Sequence, residues 1–132
     1  MILHAPAAIG DVLDRITILR HKSTRVAGEA AANVARELHA LSSAWNAAGL
    51  PPVDAVPEAA ELAEVNRALW NVEDRLRTAE SAGEFGPAFV ADARSVYQIN
   101  DRRAALKRAV NLRFGSGLIE EKVHPGYRSP HA

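Results

Sequence analysis

The chain has 132 residues and 48% hydrophobic content, which is ample for one core but leaves no room for a second domain, so residues 1 to 132 are read as a single helical domain. Sixteen Lys and Arg balance sixteen Asp and Glu, so no overall field attracts nucleic acid or an anionic membrane, and any charge-driven binding must be local. The absence of cysteine excludes disulfides, thiolate nucleophiles and thiolate metal sites and suits a reducing cytoplasm.

Met1 to Ile9 lacks the basic start and long apolar run of a signal peptide, and no stretch approaches the roughly 20 apolar residues that cross a bilayer. The expectation is a cytoplasmic protein with no membrane segment. After an extended start, Gly10 to Val26 carries Val12, Leu13, Ile16 and Leu19 at helical spacing, with Asp11 placed to cap. A second helix, from about Glu29 to Ala48, is predicted by Ala31, Val34, Leu38, Leu41 and Trp45, and Gly49, Pro51 and Pro52 end it. Gly49 to Val56 is a Pro-rich connector. Pro57 then opens a third helix, about Glu58 to Ser81, on which Leu62, Val65, Leu69, Val72 and Leu76 step by three and four. Ser81 to Gly86 is a turn, and Pro87 opens a fourth helix that Phe114, Gly115, Ser116 and Gly117 break after Arg113. Leu118 to Lys122 has the composition of one more turn, and His124 to Ala132 reads as irregular. Four amphipathic helices with short connections predict an all-α, antiparallel four-helix bundle of two helical hairpins with an irregular C-terminal tail.

The fourth helix carries a conflict. Tyr97, Asn100, Arg103, Lys107 and Asn111 fall on or beside the stripe that Phe89, Val96, Val110 and Phe114 mark as core-facing. A buried amide or ammonium without a partner costs roughly 1 to 3 kcal/mol or more, so neighbouring helices, water or a ligand must answer these groups. On the third helix Asn66, Trp70, Glu73, Asp74 and Arg77 form a second stripe that should border the same groove, opposite Asn100, Asp101, Arg103, Lys107 and Asn111. One reading is an ion-pair and amide network that fixes helix register. The other is a pocket walled by Trp70 and Tyr97, in which bases hold an anion and carboxylates hold a hydroxyl, an amine or a metal.

On the first helix, Asp11 and Asp14 are accounted for by capping and the helix dipole, and Thr17 by a hydroxyl bonded back to its own helix. Glu61, Glu64, Glu73, Asp74 and Asp101 could supply magnesium ligands as in all-helical nucleotide pyrophosphatases, yet Asp101 lacks the companion Glu that their second acid motif needs. His4, His21, His39, His124 and His131 include no two a helical turn apart and read as surface, and no metal site is assigned. Neither a phosphate loop nor a nucleophile elbow stands out, and Trp45 and Trp70 read as packing. Leu118 to Lys122, with Tyr127 and Arg128, could fold over the bundle mouth and close a pocket.

The run Gly10 to Lys22, with Asp14 and Lys22, resembles part of an uncharacterised bacterial family of small all-helical proteins. So do Glu61 to Trp70 with Asn66, continuing to Glu73, Asp74 and Arg77; Ala93 to Tyr97 with Asn100, Asp101 and Arg102; Lys107 and Asn111; and Ile119 to Lys122 with Glu120. The likeness spans most of the chain and is weakest in the second helix and the connector. It implies a helical fold and a surface-polysaccharide or glycosyltransferase context for some members, and it brings no catalytic role.

Three functions are compatible with these residues. The leading one is an accessory protein whose inter-helix groove binds a small anionic or hydroxylated ligand, such as a nucleotide sugar or another phosphorylated metabolite. In it Arg77, Arg103 and Lys107 hold the anion, Glu73 and Asp101 the hydroxyls, and Trp70 and Tyr97 a ring. The second is a magnesium-dependent pyrophosphohydrolase using the same carboxylates. The third is a structural or interaction module that forms a homodimer through Ile18 and Ile99. Enzymatic activity and any cofactor are left open.

Overall fold

The structure, a computed structural model, describes residues 1–127. Four α-helices, α1 (Ile9–Ser23), α2 (Gly28–Ala47), α3 (Pro57–Ala82) and α4 (Pro87–Arg113), succeed one another with a short 3-10 turn, Val53–Ala55, between α2 and α3. No strand occurs among the described residues. The boundaries fall within three residues of those the periodicity predicts, since Pro57 and Pro87 start helices and Gly83 and Gly115 end them with positive φ. Leu118 to Lys122 does not form the expected extra turn but runs as irregular chain. Arg128, Pro130 and His131 lie outside the described residues.

The ion pairs give the helix directions. Glu58 meets Arg113, Glu61 meets Arg102 and Arg75 meets Asp92, so α3 and α4 run antiparallel along their length. Gly10 meets Asn111 and Asp14 meets Arg103, so α1 is also antiparallel to α4. Asp14 and His21 of α1 meet Asn66 and Trp70 of α3, which makes that pair parallel. α1 is the central rod and touches the other three helices; α2 packs chiefly on α1.

The core sits at the end where α1 begins and α4 finishes. Leu13, Ile16, Trp45, Val53, Val56, Ala59, Leu62 and Val110 form one buried cluster, flanked by Val12, Leu38, Leu41, Leu106 and Phe114. Each large side chain so buried contributes about 1.5 to 3 kcal/mol before entropy is set against it. The Pro-rich connector is part of this core: Val53 and Val56 point inward, and Pro51 accepts the Trp45 indole N–H at 2.7 Å. Phe114 meets the Trp45 ring edge-on at 6.1 Å.

At about 1.5 Å per residue, α1 is about 22 Å long and α3 about 39 Å, so the α3–α4 hairpin overhangs α1 by several turns. There Phe89, expected to face the core, is only half-buried because no third helix covers it, and Phe85 and Val90 are exposed; Val96, also expected in the core, is half-buried level with the end of α1.

Candidate functional site

The most buried ionic group is Asp14, with its residue 1% exposed, and it lies at the junction of α1, α3 and α4. Arg103 Nε and Nη2 donate to the two carboxylate oxygens at 3.0 and 2.6 Å, a bidentate fork. Asn66 Nδ2 donates to Asp14 Oδ1 at 2.9 Å and to Thr17 Oγ1 at 3.0 Å, while the Thr17 hydroxyl donates to the Asp14 carbonyl at 2.7 Å. The Thr17 hydroxyl thus bonds to its own helix, as its place in an apolar run suggests, and accepts a bond across the junction as well. The hydrogen bonds to the Asp14 carboxylate hold the Arg103 guanidinium above its ordinary pKa.

Asp14 is therefore no helix cap, and neither is Asp11. The N-cap of α1 is Ala8, with no side-chain bond of its own. The leading N–H groups of α1 are capped from the far end of α4. Asn111 Oδ1 accepts from Gly10 N at 2.6 Å, and Ser116 Oγ accepts from Ile9 N at 3.1 Å. This places Gly10 against α4 so closely that a Cβ there would lie 2.2 Å from the Lys107 carbonyl oxygen. Only glycine fits that approach.

One turn along α4, Lys107 Nζ sits between Asp11 at 2.9 Å and Glu120 of the tail at 2.7 Å. Burial pushes the ammonium pKa down, but the hydrogen bonds to Glu120 and Asp11 outweigh it and leave Lys107 above its ordinary value. Arg108 pairs with Glu121 at 3.3 Å, and Lys122 pairs with Asp101. The Tyr127 hydroxyl also donates to Asp101, and the rings of Tyr97 and Tyr127 meet edge to face at 4.9 Å. Bonds from Lys122 and Tyr127 hold the Asp101 carboxyl below its usual range, and the bond to Asp101 pushes the Tyr127 phenol up to about 12.

Between the tail and α4 lies a solvent-connected cavity of about 490 Å³, lined by Asn100, Asp101, Arg103, Lys107, Arg108, Asn111, Glu120, Glu121, Lys122 and His124. A second cavity of similar volume lies on the other side of Lys107 and Glu120, against Pro6, Ala8, Asp11, Arg15 and Ile119. Tyr97 and Tyr127 wall a third space that shares Asp101, Lys122 and His124 with the first.

The structure divides the predicted site residues into two groups. Asn66, Asn100, Asp101, Arg103, Lys107 and Asn111 gather near the α1 junction or along the tail, and Tyr97 borders the tail. Glu73, Asp74 and Arg77 lie elsewhere. In the antiparallel hairpin, Asn66 is level with Arg103, so residues 73 to 77 are two to three turns further along, near the end of α1. Glu73 pairs loosely with Arg77 of its own helix at 3.9 Å, and Asp74 borders a shallow pocket with Arg75 and Asp92. Trp70 packs edge-on against His21 at 5.0 Å and does not line the tail cavity. His21, expected at the surface, is half-buried because it continues the Asp14 and Thr17 face of α1, and its Nε2 is buried without a partner among the described residues.

The acids considered as magnesium ligands are dispersed. Glu61 pairs with Arg102, Glu73 with Arg77 and Asp101 with Lys122. No group of three or more His, Asp or Glu placed to hold a metal occurs among the described residues. Ile18 and Ile99 are half-buried, and Ile99 lies in a groove beside Glu61, Glu64 and Arg102. No helix among the described residues is long and apolar enough to cross a membrane.

Sequence reasoning missed the Glu58–Arg113 pair, in which Arg113 Nε and Nη2 donate to the Glu58 carboxylate at 2.7 to 3.1 Å, because its partners are 55 positions apart with no local pattern. It also missed the capping roles of Asn111 and Ser116 and the close approach at Gly10. The spacing of Asp14, Thr17 and His21, a helical stripe beside Leu13 and Ile16, was the available signal for the buried face.

The fold and the junction define a small all-helical protein with a charged groove on its last helix, strapped by its own tail. The chain belongs to the family of unknown function DUF6165, whose model matches residues 5–132. Neither a curated protein nor a solved structure matches it.

Proposed function

We propose that the protein is a cytoplasmic accessory protein that binds a small hydroxylated ligand carrying an anionic group in the groove between α4 and the tail. The observation that carries this is the solvent-connected cavity of about 490 Å³, into which Asn100, Asp101, Arg103, Lys107, Arg108 and Lys122 converge. Its volume falls within the roughly 300 to 1,000 Å³ of small-molecule sites. The Asp14–Arg103–Asn66 junction serves as its rigid floor, since both oxygens of the buried Asp14 carboxylate are bonded within the protein. The cations nearer the tail, Lys107 and Arg108, are paired with the tail carboxylates Glu120 and Glu121, partners that a ligand anion can replace. Lys107 and Arg108 hold the anion, and Asn100 and Asp101 take hydroxyls.

Compared with the expectation from sequence, the site moves away from Trp70, Glu73 and Arg77 towards the tail. The polysaccharide context implied by the resemblance makes nucleotide sugars and sugar phosphates the first ligands to test. Calorimetric titration of these compounds into the wild type and Lys107→Ala is the direct experiment. Heat in the wild type that falls at least ten-fold in apparent affinity in the variant is expected. Equal heats in both proteins, or none in either, would reject the groove.

A further inference from the structure

The tail from Leu118 to Tyr127 packs on α4 with one aromatic anchor, the Tyr127 ring edge-on against Tyr97, and otherwise through charged groups. Leu118, Ile119 and Val123 are 49%, 40% and 87% exposed, and none of them joins the buried cluster that holds the helices together. Its other attachments are polar: Glu120 on Lys107, Glu121 on Arg108, Lys122 on Asp101, and the Tyr127 hydroxyl on Asp101. Partly exposed ion pairs of this kind are individually weak and are screened by salt. The segment leaves α4 through Gly115, which sits at φ +62, and Ser116, whose hydroxyl is bonded to Ile9 N and the Leu118 carbonyl, so the pivot of the tail lies beyond Leu118.

Two adjacent carboxylates therefore occupy two adjacent cations at the mouth of the groove. If the tail lifts, Lys107 keeps only Asp11, Arg108 loses its carboxylate, and Asp101 loses both donors. The groups so exposed complement a ligand that brings neighbouring anionic groups together with hydroxyls.

We propose that residues 118 to 127 form an ion-paired strap in which Glu120 and Glu121 stand where a diphosphate or similar dianion binds, so that ligand and strap compete for Lys107 and Arg108. The strap rests on the groove being a ligand site, and it adds the class of ligand and the means of regulating access. Binding lifts the strap, and conditions that weaken the strap strengthen binding relative to a protein that keeps it.

The test titrates inorganic pyrophosphate into the full-length wild type and the variant Glu120→Gln/Glu121→Gln, with Glu80→Gln/Glu84→Gln as a control for the same change in net charge at the distant hairpin tip. Each surface pair amounts to a factor of about two to five, so the strap variant should bind about ten-fold more tightly while the control matches the wild type. A second readout is trypsin cleavage after Lys122, which should be faster in the strap variant and should accelerate in the wild type as pyrophosphate is added. Equal affinity in all three proteins, with cleavage after Lys122 unaffected by pyrophosphate, would overturn the strap and leave the groove standing, provided Lys107→Ala still abolishes binding. Tightening in the control as large as in the strap variant would also overturn it, because net charge alone would then explain the gain. Pyrophosphate binding to none of the proteins would overturn the strap outright, whereas the groove would fall only if sugar phosphates and nucleotide sugars also gave no heat.

Discussion

Arg103→Met tests whether the Asp14 junction holds α1, α3 and α4 in register. Methionine keeps the apolar stem of the arginine but removes both donors from the carboxylate. Asp14, whose side chain is 2% exposed, would retain only the 2.9 Å bond from Asn66. Stranding one partner of a fully buried pair costs about 3 to 5 kcal/mol. The Arg103 side chain is 27% exposed, so water already solvates part of the charge, and the expected loss is about 2 to 3 kcal/mol. Against a total of about 5 to 15 kcal/mol this is large, and it corresponds to a drop in Tm of about 10 °C. The assay is urea unfolding monitored by circular dichroism, with a lower midpoint and an unchanged slope as the expected outcome. The charge argument is isolated by repeating the substitution in an Asp14→Asn background. No carboxylate is then left stranded, and the same change should cost about 1 kcal/mol. A loss below about 0.5 kcal/mol for Arg103→Met, or equal losses in the two backgrounds, would refute the reasoning.

Gly10→Ala would ordinarily gain about 1 kcal/mol in a helix, but here the new Cβ meets the Lys107 carbonyl oxygen at 2.2 Å. The backbones of α1 and α4 must separate, so a net loss of about 1 to 3 kcal/mol is expected in thermal melts, and a variant more stable than wild type would contradict the close approach. Glu58 is held below its ordinary pKa of 4.5, first by the Arg113 hydrogen bonds and against the opposing effect of burial. Because its folded-state value is depressed, its stabilisation is fully present above 4.5 and is lost as pH falls through the folded value. Glu58→Gln should therefore flatten the acid limb of the stability curve, and an identical acid limb in both proteins would show that the pair contributes nothing. The Tyr127 phenol, pushed up to about 12 by Asp101, should ionise as a late phase of an absorbance titration. As its folded-state value is raised above 10.0, its contribution to holding the tail is complete below that pH and fades as pH rises through about 12. Asp101→Asn should bring the late phase back towards 10.0, and a single unshifted phase in the wild type would mean that the Tyr127–Asp101 bond is not made.

The amino-acid sequence by itself determined the four helices. Three-four stepping of Leu62, Val65, Leu69, Val72 and Leu76, prolines at 57 and 87 and glycines at 83 and 115 are local signals, and local sterics and one-sided hydrophobicity decide where a helix starts, stops and which face it buries. It also exposed the conflict on α4, because Arg103, Lys107 and Asn111 sit where apolar residues belong. How that conflict is resolved was decided only by tertiary structure. Asp14 read as a first-turn acid until α3 and α4 brought Asn66 and Arg103 to it, and Asn111 caps a helix 101 positions away. The stripe on α3 was read as one groove from Asn66 to Arg77, yet α1 ends before its far half, so Glu73, Asp74 and Arg77 lack the third helix that would make them part of a site. Helical periodicity records the angle of a side chain around its own axis. It carries no information on how far a neighbouring helix extends, nor on which distant residue comes level with it when the chain folds back.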